Sequence, residues 1–399
     1  MWPRRIFLRG DGLQQWTNGS GMLVAFSHLR WDFVWQRPQH LLSRFAREMP
    51  VVVVEEPEFG AQSLDARVKR DGGVTIITPR VPGDPGAYGF GAHVNPEISR
   101  LLESYVSPFA HPIYWYYTPM ALGAEPSGPR PSLTVFDAMD DLASFLAAPP
   151  ALRIQEARLL RQADLVFTGG PTLYRQRRDM HPAVHCFPSG VEPTHFARPA
   201  TALPEGLAGK PRPIIGYYGV IDERLDLGLI AEIADLRPEW TIALVGPVAK
   251  IDDHSIPVRA NIVRFGQQAY GDLPAFLACF DVAMMPFARN EATRSISPTK
   301  TLEYLAGGKP VVSTPLTDVI DLYGDVVQIG ATGTDFVAAI EAVLHRRDEE
   351  RQVWKRRAAS LVAANDWDAI AAKMLAVMSH AAAVPSSAVM VEPAVQAYA

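Results

Sequence analysis

The chain has 399 residues, of which 48% are hydrophobic and 20% are charged, and its net charge at pH 7 is −5. These values are ordinary for a soluble globular enzyme of two or three domains, and they give no indication of bulk nucleic-acid binding. No uninterrupted run of about 18 apolar residues occurs, so we expect no transmembrane helix. We therefore expect a cytoplasmic protein without a nucleic-acid partner; peripheral contact with the inner face of a membrane is an open alternative.

The first half of the chain alternates short apolar runs with amphipathic segments. After a lead-in at 1–20, the predicted strands are 22–26, 51–54, 74–77, 113–117, 133–136, 165–167 and 184–187. The predicted helices begin at Pro38, Asn95, Ala151 and Pro171. Strands that alternate with helices indicate βαβ units and a mainly parallel sheet.

The alternation restarts after a segment rich in Pro and Gly at 198–213, which we interpret as a linker. The predicted strands are then 214–216, 240–245, 262–265, 282–285, 311–313 and 326–329. The predicted helices are 225–236, 272–280, 333–348, 350–364 and 367–379. The sequence thus predicts an α/β domain at 21–197, a second at 214–365, a cleft between them, and a flexible tail at 381–399.

One stretch, 297–312, has both of its ends marked. Ser297 can cap a helix whose first position is Pro298, and the glycines at 307 and 308 can end it before an apolar strand. Lys300 and Glu303 would share one face of that helix. A cation for phosphate and a carboxylate for sugar hydroxyls are the layout of a nucleotide-diphosphate site, although an ordinary surface pair has the same spacing.

Ligands bind α/β sheets at the carboxyl ends of the strands, and this rule selects further candidates. His28 and Arg37 lie in the aromatic-rich loop after the first strand. Trp31 and Trp35 of that loop could stack on a ligand or close the core. Three carboxylates, at 137, 140 and 141, follow the fifth strand and could bind a metal, cap a helix or contact a polar substrate.

In the second half the rule selects the loops 219–226, 246–254, 266–271, 286–300 and 314–318. Gly219 would let a ligand approach the backbone, and Arg224 could meet phosphate. Neither a G-x-G-x-x-G nor a G-x-x-x-x-G-K-[ST] pattern is present, which argues against a standard dinucleotide dehydrogenase and a P-loop NTPase.

With these residues in view, the chain resembles the GT-B glycosyltransferases, in particular family four and its bacterial polysaccharide branch. The stretches that carry the resemblance are Trp35–Leu41, Ala163–Thr168, Phe187–Glu192 with Phe196, and Pro298–Val312. The resemblance implies two Rossmann-like domains with parallel sheets that face each other across a cleft. It also implies that a terminal helix, 366–380, crosses back to the first domain.

The resemblance also implies roles for the candidate residues. Glu303 would bind the donor ribose, Lys300 with Arg224 the diphosphate, and Gly219 would admit the nucleotide. Ser297 and Thr299 belong to the same donor site, and the acceptor side would hold the catalytic candidates His28, Arg37, Asp137 and Asp140. The family requires no metal or other cofactor, so we expect none here.

The sequence departs from the family pattern at three positions. The family often has a further glutamate eight residues before the one that corresponds to Glu303. In this chain that position is Ser295, and the nearest glutamate is Glu291. In the family that glutamate lies near the transferred sugar, so the donor sugar is not predicted. Ser189 stands where Asn is usual, and Gly170 where Ser is common.

The predicted function is transfer of a sugar from a UDP- or GDP-linked donor to a glycan or lipid-linked acceptor, with retention of configuration, in cell-surface polysaccharide synthesis. Two alternatives stay open. A nucleotide-sugar epimerase can use the same fold but normally needs an acid/base set, and a non-catalytic nucleotide-sugar binder could keep Glu303. The sequence does not predict the oligomeric state.

Overall fold

A computed structural model describes residues 21–106, 111–128, 130–198 and 203–383. The predicted lead-in at 1–20 lies outside the described residues, as do 199–202 of the predicted linker and 384–399 of the predicted tail.

The first half forms a nine-stranded sheet in the order β3-β5-β2-β1-β6-β7-β8-β9, with β4 paired to β5. Its strands are β1 (Gly21–Ser27), β2 (Val51–Glu55), β3 (Glu58–Phe59), β4 (Asp65–Asp71), β5 (Val74–Val81), β6 (His111–Tyr116), β7 (Leu133–Ala138), β8 (Leu165–Thr168) and β9 (Val184–Cys186). Its helices are α1 (Arg37–Phe45), α2 (Asn95–Val106), α3 (Ala151–Gln162), α4 (Pro171–Arg177) and α5 (Pro193–Phe196).

The second half forms a six-stranded sheet in the order β12-β11-β10-β13-β14-β15, and every pair in it is parallel. Its strands are β10 (Ile214–Tyr218), β11 (Thr241–Val245), β12 (Ile262–Phe265), β13 (Val282–Met285), β14 (Val311–Ser313) and β15 (Val327–Ile329). The helices that follow are α6 (Leu227–Leu236), α7 (Leu273–Cys279), α8 (Lys300–Ala306), α9 (Thr317–Tyr323), α10 (Gly333–Leu344), α11 (Asp348–Ala364) and α12 (Trp367–Ala383).

The central strands are uniformly apolar because helices cover both faces of each sheet. Every residue of β1, β10 and β11 is buried, as expected for parallel strands that never meet water. The prediction of an α/β fold with two mainly parallel sheets is confirmed.

The strand β4 was missed, and its sequence explains why. It pairs antiparallel with β5 from Asp65 to Asp71, and most of its residues are exposed. A strand without a buried face has no apolar run or alternation, so its pattern resembles that of a loop.

The last helix, α12, returns to the first half of the chain. Its apolar side chains pack into the core beside β1 and α1, and they include Trp367, Ile370, Met374 and Met378. The helix continues to Ala383, so the predicted flexible tail is wrong for 381–383. Three consecutive alanines, among the strongest helix formers, extend the helix there.

Candidate active site

A cleft of about 730 Å³ lies at the carboxyl ends of the strands, and both halves line it. The first half contributes Val34, Trp35 and Gln36 from the loop before α1. The second half contributes the ends of β10 and β11, the loop before α7, and one side of α8. Of the sequence-predicted donor residues, Gly219, Arg224, Thr299, Lys300 and Glu303 lie together on its wall.

Two glycines end neighbouring strands at the floor of the cleft. Gly219 has φ of +139° and Gly246 has φ of +141°, a region that other residues rarely adopt. A Cβ atom on Gly219 would lie 2.1 Å from Cε of Lys300, and one on Gly246 would lie 2.0 Å from the carbonyl oxygen of Gly219. Glycine at these positions therefore makes room for the Lys300 side chain and the packed strand ends.

Glu303 is buried, Lys300 is partly buried, and neither is held in an ion pair. Within the described part of the chain no salt bridge involves either side chain, and the Tyr218 hydroxyl lies beside the carboxylate of Glu303. The ammonium of Lys300 lies 5.9 Å from the ring centre of Tyr217, and Glu303 is 7% exposed. Burial lowers the pKa of Lys300 and raises the pKa of Glu303. An anion beside Lys300 and hydroxyl donors beside Glu303 would each relieve this cost.

The predicted cap of α8 is wrong. The regular helix begins at Lys300, and its N-cap residue, Thr299, makes no side-chain capping bond. Ser297 lies three residues earlier, where its Cβ packs against Gly170 of the first half. A Cβ on Gly170 would also lie 2.2 Å from Oδ2 of Asp318, which explains why no larger residue occupies position 170.

Arg224 is held by its own loop and by the first half. Its guanidinium donates two bonds to Asp222, at 3.0 and 2.6 Å, and lies 5.6 Å from the ring centre of Phe145. Burial alone would lower the pKa of Arg224, but the Asp222 carboxylate raises it, so the side chain stays charged. A charged guanidinium on the wall of the cleft can bind phosphate oxygens.

His28 and Asp140 provide groups whose protonation differs from that in water. Burial, reinforced by the charge of Lys250, lowers the pKa of His28 to about 4, and its Nδ1 atom is buried without a partner. Burial raises the pKa of Asp140 to about 6, despite the nearby Arg224. At neutral pH the imidazole is therefore neutral and the carboxylate is mostly ionised, which suits contacts with sugar hydroxyls.

Arg37 and Asp137 are not on the wall of the cleft. They are 1% and 0% exposed and form a bidentate ion pair at 2.9–3.2 Å, and Arg37 also donates to the carbonyl of Phe187 at 2.7 Å. Burial opposes the charge on Arg37, but Asp137 outweighs it and raises the pKa of the guanidinium. The structure thus places this predicted catalytic pair where it can position loops rather than touch a substrate.

The loop residues Trp31 and Trp35 divide between the two predicted roles. Trp31 is 4% exposed and donates its indole N–H to Asp71 at 2.8 Å, so it belongs to the core. Trp35 lines the cleft and stacks on Tyr270 of the second half, with ring centres 5.8 Å apart. This contact joins the two halves at one side of the cleft.

Two residues near the site, Tyr270 and Lys250, were not singled out from the sequence. Tyr270 lines the cleft and donates to Glu192 at 3.0 Å. Lys250 adopts φ of +61°, and its ammonium lies 4.9 Å from the ring centre of Phe145. The selected loops include Tyr270 and Lys250, but no local pattern distinguishes these side chains from their neighbours.

The position of the missing glutamate is now defined. Ser295 is buried and accepts a hydrogen bond from the side-chain amide of Gln176 at 3.0 Å. Glu291 is exposed and pairs with Arg294. Neither residue supplies a buried carboxylate to the cleft.

Within the described ranges, no group of three or more His, Cys, Asp or Glu side chains could hold a metal ion. The carboxylates in and after β7 diverge: Asp137, within the strand, pairs with Arg37, and Asp141, after it, pairs with Arg153. None of the described helices is both long enough and apolar enough to span a membrane.

Comparisons with known proteins agree with this geometry. Residues 227–376 match a family model described as glycosyl transferase-like. Over 230 residues the chain is 28% identical to the putative teichuronic acid biosynthesis glycosyltransferase TuaH of Bacillus subtilis (strain 168), covering 55% of this chain and 57% of TuaH. The match thus spans little more than half the length of this curated relative.

Solved structures share the whole arrangement. Sucrose-phosphate synthase from Thermosynechococcus elongatus superposes with a TM-score of 0.70 at 15% identity, over 90% of this chain and 98% of that one. An E. coli structure described as "Trehalose-6-phosphate from E. coli bound with UDP-2-fluoro glucose" superposes with a TM-score of 0.68 at 13% identity. The superposition covers 90% of this chain and 99% of that one. The two parallel sheets across a cleft are therefore the GT-B fold, as the sequence predicts.

Proposed function

We propose that this chain is a GT-B glycosyltransferase that moves a sugar from a nucleotide-diphosphate donor to a glycan or lipid-linked acceptor. The observation that carries the proposal is that Lys300, which is partly buried, and Glu303, which is 7% exposed, have no ion-pair partner among the described residues and lie in a cleft lined by both halves. Burying such groups unsatisfied is costly, so a ligand that completes them gains binding energy.

The donor would lie against the second half. Its diphosphate would contact Lys300 and Arg224, and its ribose would donate two hydroxyl hydrogens to the carboxylate of Glu303. The glycine at 219 keeps the Lys300 side chain in place beneath the phosphates. The E. coli structure with UDP-2-fluoro glucose supports a UDP-linked donor, because the same fold there holds such a molecule.

The acceptor would approach from the first half. His28 is neutral and Asp140 is mostly ionised at pH 7, so together they offer a hydrogen-bond donor or acceptor and a charged acceptor for hydroxyl groups. Arg37 and Asp137 would act indirectly, because their ion pair joins α1 to the end of β7 beneath this region. The name of TuaH supports a role in polysaccharide synthesis.

In the proposed reaction the bond between the anomeric carbon and the diphosphate oxygen breaks, and a bond to the acceptor oxygen forms. The nucleotide diphosphate leaves with the electron pair, and the acceptor hydroxyl proton passes to the departing phosphate oxygen. Lys300 and Arg224 would stabilise the negative charge that develops on that oxygen. Closure of the cleft would exclude water, which otherwise competes with the acceptor.

Membership of family four and retention of configuration are proposed from the sequence resemblance. The chain differs from that family at Ser295, where a glutamate near the transferred sugar is common. Ser295 is buried and bonded to Gln176, and neither side chain lines the cleft, so this position supplies no carboxylate to the transferred sugar. A cytoplasmic site of action at the inner face of a membrane remains a prediction from the sequence.

The test is nucleotide release from UDP-, GDP- and TDP-sugars by the purified protein, with and without lipid-linked acceptors. Acceptor-dependent release with one donor would support the proposal. Nucleotide binding without turnover would instead indicate a binder, and interconversion of free nucleotide sugars would indicate an epimerase. Lys300→Ala and Glu303→Ala should each weaken nucleotide binding; the matched control is Lys373→Ala, which removes an exposed lysine from α12.

A further inference from the structure

A second concave site lies at the opposite edge of the second sheet. It is a groove of about 800 Å³ formed where the chain enters β10, β13 and β14, and we call it the basic groove. Its charged lining residues are Arg212, Lys309, Arg346, Arg351, Lys355 and Asp281. The candidate active site lies at the carboxyl ends of the same strands, so the two sites are separated by the sheet.

Two of the five cations are bonded to Asp281 or to carbonyls at the end of α7. Arg212 donates to the carboxylate of Asp281, whose other oxygen accepts the backbone N–H of Ile214 at 2.7 Å. Lys309 donates to the carbonyls of Ala278 and Phe280 at 2.9 and 2.7 Å, at the end of α7. The only carboxylate in the lining is therefore already engaged by Arg212.

The other three cations, Arg346, Arg351 and Lys355, line the groove beside Trp354, and Arg351 donates to the carbonyl of Arg346 at 3.4 Å. The guanidinium of Arg346 lies 5.6 Å from the centre of that ring, and the indole N–H is bonded to Val326 at 2.9 Å. Within the described ranges, no carboxylate pairs with Arg346, Arg351 or Lys355. The nearby Glu350 pairs instead with Arg347.

The positive charge in the groove is thus in excess. Burial lowers the pKa of Arg346; the charge of Glu350 partly offsets this, and the neighbouring Arg351 lowers the pKa further. Burial also lowers the pKa of Lys309; the charge of Asp281 partly offsets this, and the charge of Arg212 adds to the lowering. Cations that face each other without enough counter-charge repel, and a bound anion would remove that repulsion.

We propose that the basic groove binds a small soluble polyanion that carries phosphate groups. Three cations from two segments, none in a salt bridge with a described carboxylate, line one concave surface, and Arg346 offers a planar guanidinium suited to two phosphate oxygens. A concave recess favours a compact ligand over the flat surface of a membrane. This inference does not rest on the proposed function.

The experiment is calorimetric titration of the full chain with pyrophosphate as the probe. Because a diphosphate could also enter the candidate active site, every protein in the series carries Lys300→Ala. We expect saturable binding that Arg346→Gln with Lys355→Gln weakens about tenfold or more, since hydrogen bonds to charged groups are lost. The matched control, Arg356→Gln with Lys373→Gln, removes the same charge from exposed positions outside the groove and should leave the affinity unchanged.

Three results would overturn the proposal. The first is that pyrophosphate shows no saturable binding, and the second is that both double variants weaken its binding equally. The third is that the protein fails to bind pyrophosphate but co-sediments with phosphatidylserine vesicles, and that this co-sedimentation is lost when Arg346 and Lys355 are replaced. Lys355→Gln alone guards against misfolding, because Lys355 is exposed and its removal breaks no contact that the fold needs. It should still weaken binding severalfold.

Discussion

Two combinations of a cation and a carboxylate lie near the cleft, and the protein satisfies them differently. Arg37 and Asp137 form a bidentate pair at 2.9–3.2 Å and are almost inaccessible to solvent. Glu303 is also buried and Lys300 is partly buried, yet among the described residues no ion pair involves either side chain. The first combination joins α1 to β7, and the second lies on the wall of the cleft.

This difference separates structure from binding. A buried ion pair whose members satisfy each other leaves nothing for a ligand, and its removal harms the fold. A cation and a carboxylate that lie in a cleft without an ion-pair partner lower the stability of the empty protein and leave bonding capacity for a ligand. The predictions below test this distinction, from the largest expected effect to the smallest.

The largest effect is expected when the first pair is broken. Asp137→Asn leaves the buried charge of Arg37 unpaired and should lower the free energy of unfolding by about 3–5 kcal/mol. Urea denaturation measures this, and the double variant with Arg37→Met should recover part of the loss. A loss below about 1 kcal/mol would contradict the structural role, since that is the range of an exposed pair.

Lys300→Met should behave in the opposite way. Removing a partly buried charge that has no ion-pair partner should leave the free energy of unfolding unchanged or raise it. The affinity for uridine diphosphate should fall about tenfold to a hundredfold, because charge-assisted bonds to phosphate are lost. Parallel titration and denaturation measure both quantities, with the exposed Lys373→Met as control. A large loss of stability with unchanged affinity for uridine diphosphate would mean that Lys300 has a structural role, like Arg37 and Asp137, and does not bind the donor.

Gly219→Ala should affect both properties. The backbone at φ of +139° is strained for alanine, which should cost about 1–3 kcal/mol, and the new Cβ would displace the end of Lys300. Gly123→Ala is the control, because Gly123 also has positive φ but no atom near its Cβ position. Only the variant at 219 should weaken nucleotide binding, and equal affinity in the two variants would refute the displacement of Lys300.

Asp140 should produce a pH dependence. If its carboxylate contacts the acceptor, kcat/KM should rise as pH increases through about 6 and then level off. Because the folded pKa is raised, the contribution of Asp140 to stability is present at low pH and is lost as pH rises through about 6. Asp140→Asn should therefore lose activity but gain stability relative to wild type above pH 6.

Glu56 is a second group that ionises in this range, because burial raises its pKa to about 7. The rate of the variant is therefore divided by the rate of the wild type at each pH, which removes the contribution of Glu56 from the comparison. An unchanged acidic limb in the variant would exclude Asp140.

Phe145 should have the smallest effect. Its ring faces Arg224 and Lys250, and each cation–π contact is worth about 0.5–1 kcal/mol. Phe145→Leu keeps an apolar side chain but removes the aromatic face, so it should raise the KM for the donor by a few fold. Phe145→Trp should restore the wild-type value, and a failure of that rescue would mean that packing alone is involved.

Part of the site was accessible from the sequence because its signals are local. Lys300 and Glu303 are three residues apart on one helix, and Gly219 directly follows a buried strand, so spacing alone places them. The cap at Ser297 failed because a proline, which suits a first helical turn, lies here in the irregular segment before it. The residue preferences of the local sequence do not distinguish a proline in the first helical turn from a proline just before the helix.

The sequence by itself determined the two α/β halves, because strands buried on both faces must be apolar and the helices between them amphipathic. The tertiary structure decided which charged groups face a ligand. Arg37 and Asp137 are 100 residues apart, and only the order of β1, β6 and β7 brings them together. In the same way, Phe145 contacts Lys250 and Arg224 only because the two sheets face each other. The energy of an electrostatic contact depends on the distance between the groups in space, and separation along the chain does not predict that distance.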